Sequence, residues 1–344
     1  MPTILNGSQY MQAVLYTGTG ATQTISGLNF QPDFVWIKSR SAATDHKLTD
    51  SVRGVTKALI SDSTGAETTD SNGITAFTSN GFTIGSNSVY NTSGATYVAW
   101  CWKAGGTAVT NTAGSITSQV SANPTAGFSV VTYTGNGTAS TQTIGHGLGT
   151  TLSMLILKGR ASSRDMNWGV SHTSIAAPNY LLLNTTGQAD NYGPGQGQPS
   201  IGTGNTFKVL LGTTGTTNYN TNGATYVAYC FAAIPGYSAF GSYTGNGSAD
   251  GPFVFLGFRP RWIMLKRTDS TSDWIILDTS RNTYNVMNAS LWADISNAEG
   301  TYTICDYLSN GFKLRDASNG YNTSSGTYIY ACFAENPFQN ALAR

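Results

Sequence analysis

The chain repeats itself three times, and that repeat limits what it can fold into. Tyr16-Thr-Gly-Thr-Gly20 returns as Tyr133-Thr-Gly-Asn-Gly137 and as Tyr243-Thr-Gly-Asn-Gly247. Thr96-Tyr97-Val-Ala-Trp-Cys101-Trp102 returns as Thr225-Tyr226-Val-Ala-Tyr-Cys230-Phe231 and as Thr327-Tyr328-Ile-Tyr-Ala-Cys332-Phe333. Between these anchors lies Pro32-Asp-Phe-Val-Trp-Ile-Lys38, matched by Leu152 to Lys158 and by Pro260 to Lys266. The copies start at 16, 133 and 243, so they are spaced by 117 and 110 residues. That period is too long for a solenoid and suits tandem β-domains.

Inside each copy the pattern is short strand after short strand. Phe34 to Lys38 and Trp262 to Lys266 are apolar runs of residues that suit strands, each closed by a lysine. Tyr97 to Trp102 is nearly all apolar, as expected of a strand buried on both faces. Asn80-Gly81 and Asn310-Gly311 place a tight turn before the strands that start at Phe82 and Phe312. Helical periodicity is weak, and Val52 to Ile60 is the best candidate. The expected fold is all-β, with three tandem homologous β-sandwich, jelly-roll-like domains at 1–105, 127–234 and 235–344. Residues 106–126, rich in Gly, Ser and Thr, read as a linker. The first and last strands of each copy are its best-repeated parts, so both are expected to lie centrally and side by side.

Only 10% of residues are charged and the net charge is +1, with no basic run, so the electrostatic footprint of a nucleic-acid binder is missing. No apolar stretch of about 20 residues predicts a membrane helix, and the first residues do not read as a signal peptide. Cys101, Cys230 and Cys332 hold one position in three copies, and Cys305 is extra. Four free thiols serving as small core residues is the expectation, as in a chain folded in a reducing cytoplasm.

Catalytic and metal signatures are weak. His46, His146 and His172 match no metal-ligand spacing, so no cofactor and no transition metal is expected. Asp269 to Asp273 is the nearest thing to a calcium loop, but reads better as a solvated turn. Gly193 to Gly197 reads as a turn rather than a phosphate cradle. The three glutamates, Glu67, Glu299 and Glu335, fall outside the repeated motifs and do not suggest a glycosidase pair, and no enzyme is expected.

One charged set does recur. Lys38, Asp45, Asp50 and Arg53 share their spacings of 7, 5 and 3 with Lys266, Asp273, Asp278 and Arg281, while the middle copy keeps Lys158 and Asp165 only. Two readings stand: a structural ion-pair network, or a polar ligand site beside aromatic rings. Trp168, Trp274 and Trp292 fall in loop-like or edge contexts and are the candidate exposed rings for sugar stacking.

Taken together, the Tyr-Thr-Gly-Asn-Gly anchor, Asp50-Ser-Val-Arg-Gly54, Ser79-Asn-Gly-Phe82 and Tyr97-Val-Ala-Trp-Cys-Trp-Lys103 resemble a repeat of tail-fibre-like virion proteins of aquatic bacteriophages. The first copy matches best, the third matches through Phe333 to Phe338, and the second lacks the Asp-Ser-Val-Arg-Gly segment. The resemblance implies a virion surface protein, assembled in the host cytoplasm and then exposed outside the cell. It implies a host-recognition adhesin for a cell-surface glycan, partnered by other virion proteins and, by analogy, a homotrimer. No coiled-coil pattern precedes the first copy, which makes a head-decoration or other structural subunit the main alternative. A polysaccharide-degrading tail enzyme is third.

Overall fold

The computed structural model describes residues 4–160, 166–191, 196–212 and 218–335. Among them the chain is almost wholly β, with one short α-helix, Ser88–Asn91. The segment read as a helix, from Val52 to Ile60, is instead a turn followed by a two-residue strand, Lys57–Ala58.

Each repeat builds an inner sheet from its three anchors. In the first, the opening strand Met11–Thr17 pairs antiparallel with the closing strand Thr96–Trp102. The closing strand pairs in turn with the lysine strand Phe34–Ser39, and that with the return strand Lys47–Asp50. The second repeat uses Phe128–Thr134, Thr225–Phe231, Met154–Gly159 and Gly169–His172 in the same order. The third uses Ser238–Thr244, Thr327–Ala334, Pro260–Arg267 and Ile275–Asp278. The opening and closing strands are therefore neighbours, as expected. Only the closing strand is central throughout; the opening strand lies at a sheet edge in the first and third units.

A smaller outer layer covers one face of each inner sheet. It consists of Gln23–Ser26, Gly81–Ile84 and Ile74–Thr78 in the first unit, and of Gln142–Gly145, Thr206–Val209 and Pro199–Ile201 in the second. In the third unit the two layers are continuous, forming an eight-stranded sheet that ends on the edge strand Phe253–Phe255. The region read as a linker is structured. Val109–Asn111 and Ser118–Asn123 extend the second unit's sheet beyond its opening strand. Composition misled there because Ser, Thr and Gly suit exposed edges as well as linkers; Ile116 and Val120 are buried.

Successive strand residues point to opposite faces, and here both faces are buried. Val35, Ile37, Ala99 and Cys101 turn toward the outer layer of their own unit, against Ile25, Phe82 and Ile84. Phe34, Trp36, Trp100 and Trp102 turn the other way, into a core shared with Phe128, Tyr229, Phe231, Trp262 and Phe333. Phe34 stacks on Tyr229 with centroids 4.1 Å apart, Trp102 meets Trp262 edge-on at 5.5 Å, and Phe231 meets Phe333 at 6.0 Å. The three inner sheets thus close around one aromatic centre. The space left between them is about 10 Å³, at most room for a single water, and its walls are apolar. The units are sandwiches in sequence order but not three independent cores, because each inner sheet has a second apolar face that only the other two can cover. All four cysteines are free and buried.

Candidate functional site

The repeated charges separate into two groups along the lysine strand. Asp50 pairs with Phe34 at one end of that strand, four residues or roughly 13 Å from Lys38 at the other. The set therefore does not converge on one site.

Asp50 and Arg53 close a buried junction between the first and second units. Asp50 Oδ1 accepts the backbone N–H groups of Val52 and Arg53, and Arg53 Nε donates to Asp50 Oδ2 at 2.5 Å. Tyr229 of the second unit donates its hydroxyl to Asp50 Oδ2 at 2.9 Å and accepts from Arg53 Nη2 at 3.1 Å. Glu67 then bridges Arg53 to Arg160 of the second unit, at 3.0 and 2.9 Å. Burial opposes the charge on Glu67, but the bonds from Arg160 and Arg53 outweigh it and hold the carboxyl below its ordinary value.

The third unit repeats this junction against the first. Arg281 Nε donates to Asp278 Oδ2 at 2.6 Å, and Trp100 Nε1 donates to the same oxygen at 2.9 Å. The Arg281 guanidinium lies 5.6 Å from the Trp100 ring centroid. Glu299 bridges Arg281 to Arg40, at 3.1 and 2.8 Å. Trp100 and Tyr229 hold one repeat position, as do Arg40 and Arg160, so the two junctions are successive contacts around a ring.

The remaining contact, second unit to third, is built differently. His172 occupies the register of Asp50 and Asp278, opposite Met154. Its Nδ1 accepts from Ser174 N at 3.1 Å, the role the carboxylate plays elsewhere, and its Nε2 lies 3.2 Å from the Tyr330 carbonyl. Burial lowers the ring to about 4, so it is neutral. Ile175 stands where the arginine would be.

The lysines at the other strand end are buried and spend their protons on carbonyls. Lys38 donates to Ser39 and Ala42, Lys158 to Ser63, Thr64 and Met166, and Lys266 to Thr186 and Ser272. Burial lowers Lys38 and Lys266 to about 8. Asp45 is exposed, Asp273 is half-buried, and Asp165 lies outside the described residues.

The tryptophans expected at the surface divide. Trp168 and Trp274 are buried, because each is a wedge into the preceding unit: Trp168 Nε1 donates to the Ile60 carbonyl at 2.8 Å, and Trp274 Nε1 to the Leu182 carbonyl at 3.0 Å. The prediction of exposed rings was wrong for both, since one repeat considered alone cannot show what its neighbour covers. Trp292 is half-buried, packed against the core on one side. With Tyr302, 55% exposed, it forms an edge-on pair with centroids 5.8 Å apart. Gly300 makes this pair fit, because a Cβ there would stand 2.6 Å from both rings.

These rings wall an open cleft of about 380 Å³ in the third unit. Its polar lining includes Ser272, Asp273, Ser290, Ser318 and Asn319, with Ile275 and Ile304 beneath. Ser290 is fully buried, and its hydroxyl has no hydrogen-bond partner among the described residues. Gly320 lies on the lining; an added Cβ would fit there in ordinary contact, nearest to Ser272 Oγ at 3.5 Å. The registers that hold Trp292 in the third unit hold Ile60 and Leu182 in the other two.

A family model described as a domain of unknown function, DUF7483, matches residues 6–337, across all three units. The chain belongs to this family. No curated protein and no solved structure matches it.

Several working residues of this DUF7483 chain escaped the sequence pattern. Glu67 and Glu299 complete the two junctions, but follow their arginines by 14 and 18 residues, so fixed spacing could not reveal them. Asp62 and Asp294 each accept the backbone N–H that opens a return strand, from His46 at 3.2 Å and Trp274 at 2.9 Å. Burial raises Asp62 to about 6 and Asp294 to about 7. Asn184 does the same work for Trp168 at 2.8 Å, so the position needs an acceptor and not a charge. That equivalence argues against reading the raised Asp294 as a catalytic acid. The ends of the candidate calcium turn serve different neighbours: Asp269 pairs with Arg267, and Asp273 lines the cleft.

Proposed function

We propose that the chain is a bacteriophage virion surface protein, a tail-fibre-like adhesin that recognises a host cell-surface glycan. The cleft of the third unit carries this reading. Aromatic faces beside hydroxyl, amide and carboxylate groups match the apolar faces and hydroxyl rims of sugars. The resemblance of the repeat and the low surface charge support it. Glycoside hydrolysis needs two flanking carboxylates, whereas Asp273 is the single carboxylate among the described cleft residues. By analogy with fibres the proposal includes a homotrimer, which the mass of the purified chain in solution tests.

A second reading, a decoration or structural subunit, is favoured by one observation. Phe253 and Phe255 are 44% and 65% exposed on the third unit's edge strand. The same registers hold Thr24 and Ser26 in the first unit and Thr143 and Gly145 in the second. The deciding experiment measures binding of the purified chain to phage-susceptible cells and to virions that lack it. Saturable cell binding lost in folded Trp292→Ala supports the adhesin. Attachment to virions, with no cell binding, replaces it with the structural reading, and release of reducing sugar overturns both.

A further inference from the structure

Resting on the recognition reading, we infer that the third-unit cleft takes a neutral pyranose sugar, one per chain, and rejects acidic sugars. The rings of Trp292 and Tyr302 supply apolar faces at the mouth, and the volume of about 380 Å³ sits at the small end of ligand sites. That suits a mono- or disaccharide rather than a long chain.

The polar groups determine the class. Ser290 offers a buried hydroxyl that nothing in the described protein satisfies. A buried hydroxyl left unmade is costly, and a sugar hydroxyl that displaces its cover on binding relieves that cost. Asp273 is the charged group among the described lining residues, and none of those residues is a cation that could balance an anionic ligand. The nearby cations are already bonded to protein groups. Lys266 donates to the Thr186 and Ser272 carbonyls, and Arg267 pairs with Asp269 at 2.9 Å and bonds Asn319. A uronate or phosphate would meet the like charge of Asp273, and the one cation facing that carboxylate among the described residues, the buried Lys266, already spends its protons on two carbonyls. Single occupancy follows from register, since Ile60 and Leu182 replace Trp292 in the other units.

Calorimetric titration tests this, using methyl β-glucoside, methyl β-galactoside, methyl α-mannoside and their disaccharides against glucuronate. At least one neutral sugar is expected to bind at one site per chain, and glucuronate at least tenfold more weakly. Ser290→Ala removes an unsatisfied hydroxyl, so the fold keeps its melting temperature while affinity falls roughly three- to tenfold. Gly320→Leu fills the cleft and abolishes binding. Asp273→Asn narrows the gap between neutral sugar and glucuronate. Tighter glucuronate binding, three sites per chain, or unchanged binding in Gly320→Leu overturns the inference. If no sugar binds but Gly320→Leu still abolishes cell attachment, the neutral-sugar inference fails and the recognition reading stands.

Discussion

The first and third units answer one structural problem with charge, and the second answers it without. At the end of the return strand, Asp50–Arg53 and Asp278–Arg281 each gather a glutamate, an aromatic donor and a second arginine across a unit boundary. His172 closes the third boundary with a neutral ring and one carbonyl. The comparison teaches that the turn after this strand requires an acceptor for the backbone N–H two residues on, and that a carboxylate or an imidazole can supply it. The arginines belong to the contact between units and not to the turn.

The sharpest way to break the comparison is to remove one partner. Arg53→Ala or Arg281→Ala strands buried carboxylates and is expected to cost about 3–5 kcal/mol. His172→Ala is expected to cost about 1–2 kcal/mol, since it loses two hydrogen bonds between neutral groups and some packing. Urea unfolding midpoints read both; equal losses would show that the charged junctions hold nothing extra.

Exchanging one solution for the other comes next. Asp50→His combined with Arg53→Ile copies the second unit into the first. The double variant is expected to lose less than Arg53→Ala alone, by about 2 kcal/mol, because no unpaired charge remains. A double that is worse than the single would mean the junction cannot work without its ions.

The smallest effect concerns pH. Asp294 is raised to about 7 from an ordinary 3.8, so between these values the folded chain holds a proton that the unfolded chain releases. Its contribution to stability is full below pH 3.8 and is lost as pH rises toward 7. Asp294→Asn, which copies Asn184, is expected to leave stability at pH 4 unchanged. At pH 8 it should raise the melting temperature by roughly 2 °C. An equal shift at both pH values would place the cause outside ionisation.

The sequence was a good guide wherever one repeat decides the outcome by itself. The Tyr97 to Trp102 run is the central strand, the Asn-Gly pairs lie at the expected hairpins, and the repeated charges mark real contacts. It was a poor guide wherever a second unit intervenes. Trp168 and Trp274 read as surface rings because their covers, near Ile60 and Leu182, lie 108 and 92 residues away. The cleft was half legible: Trp292 and Asp273 were candidates, but Tyr302 and Ser290 belong to no repeated motif. Residues 106–126 failed for another reason, since edge strands and linkers draw on the same small polar residues.

The sealed cysteines give the molecule its own clock. Cys101 reports on the first unit, Cys230 on the second, and Cys305 with Cys332 on the third, and burial pushes every one of these thiols up, away from the reactive thiolate. A thiol reagent therefore labels each position only when that unit opens. Following the mass of each cysteine peptide over time orders the three openings in the unmodified chain.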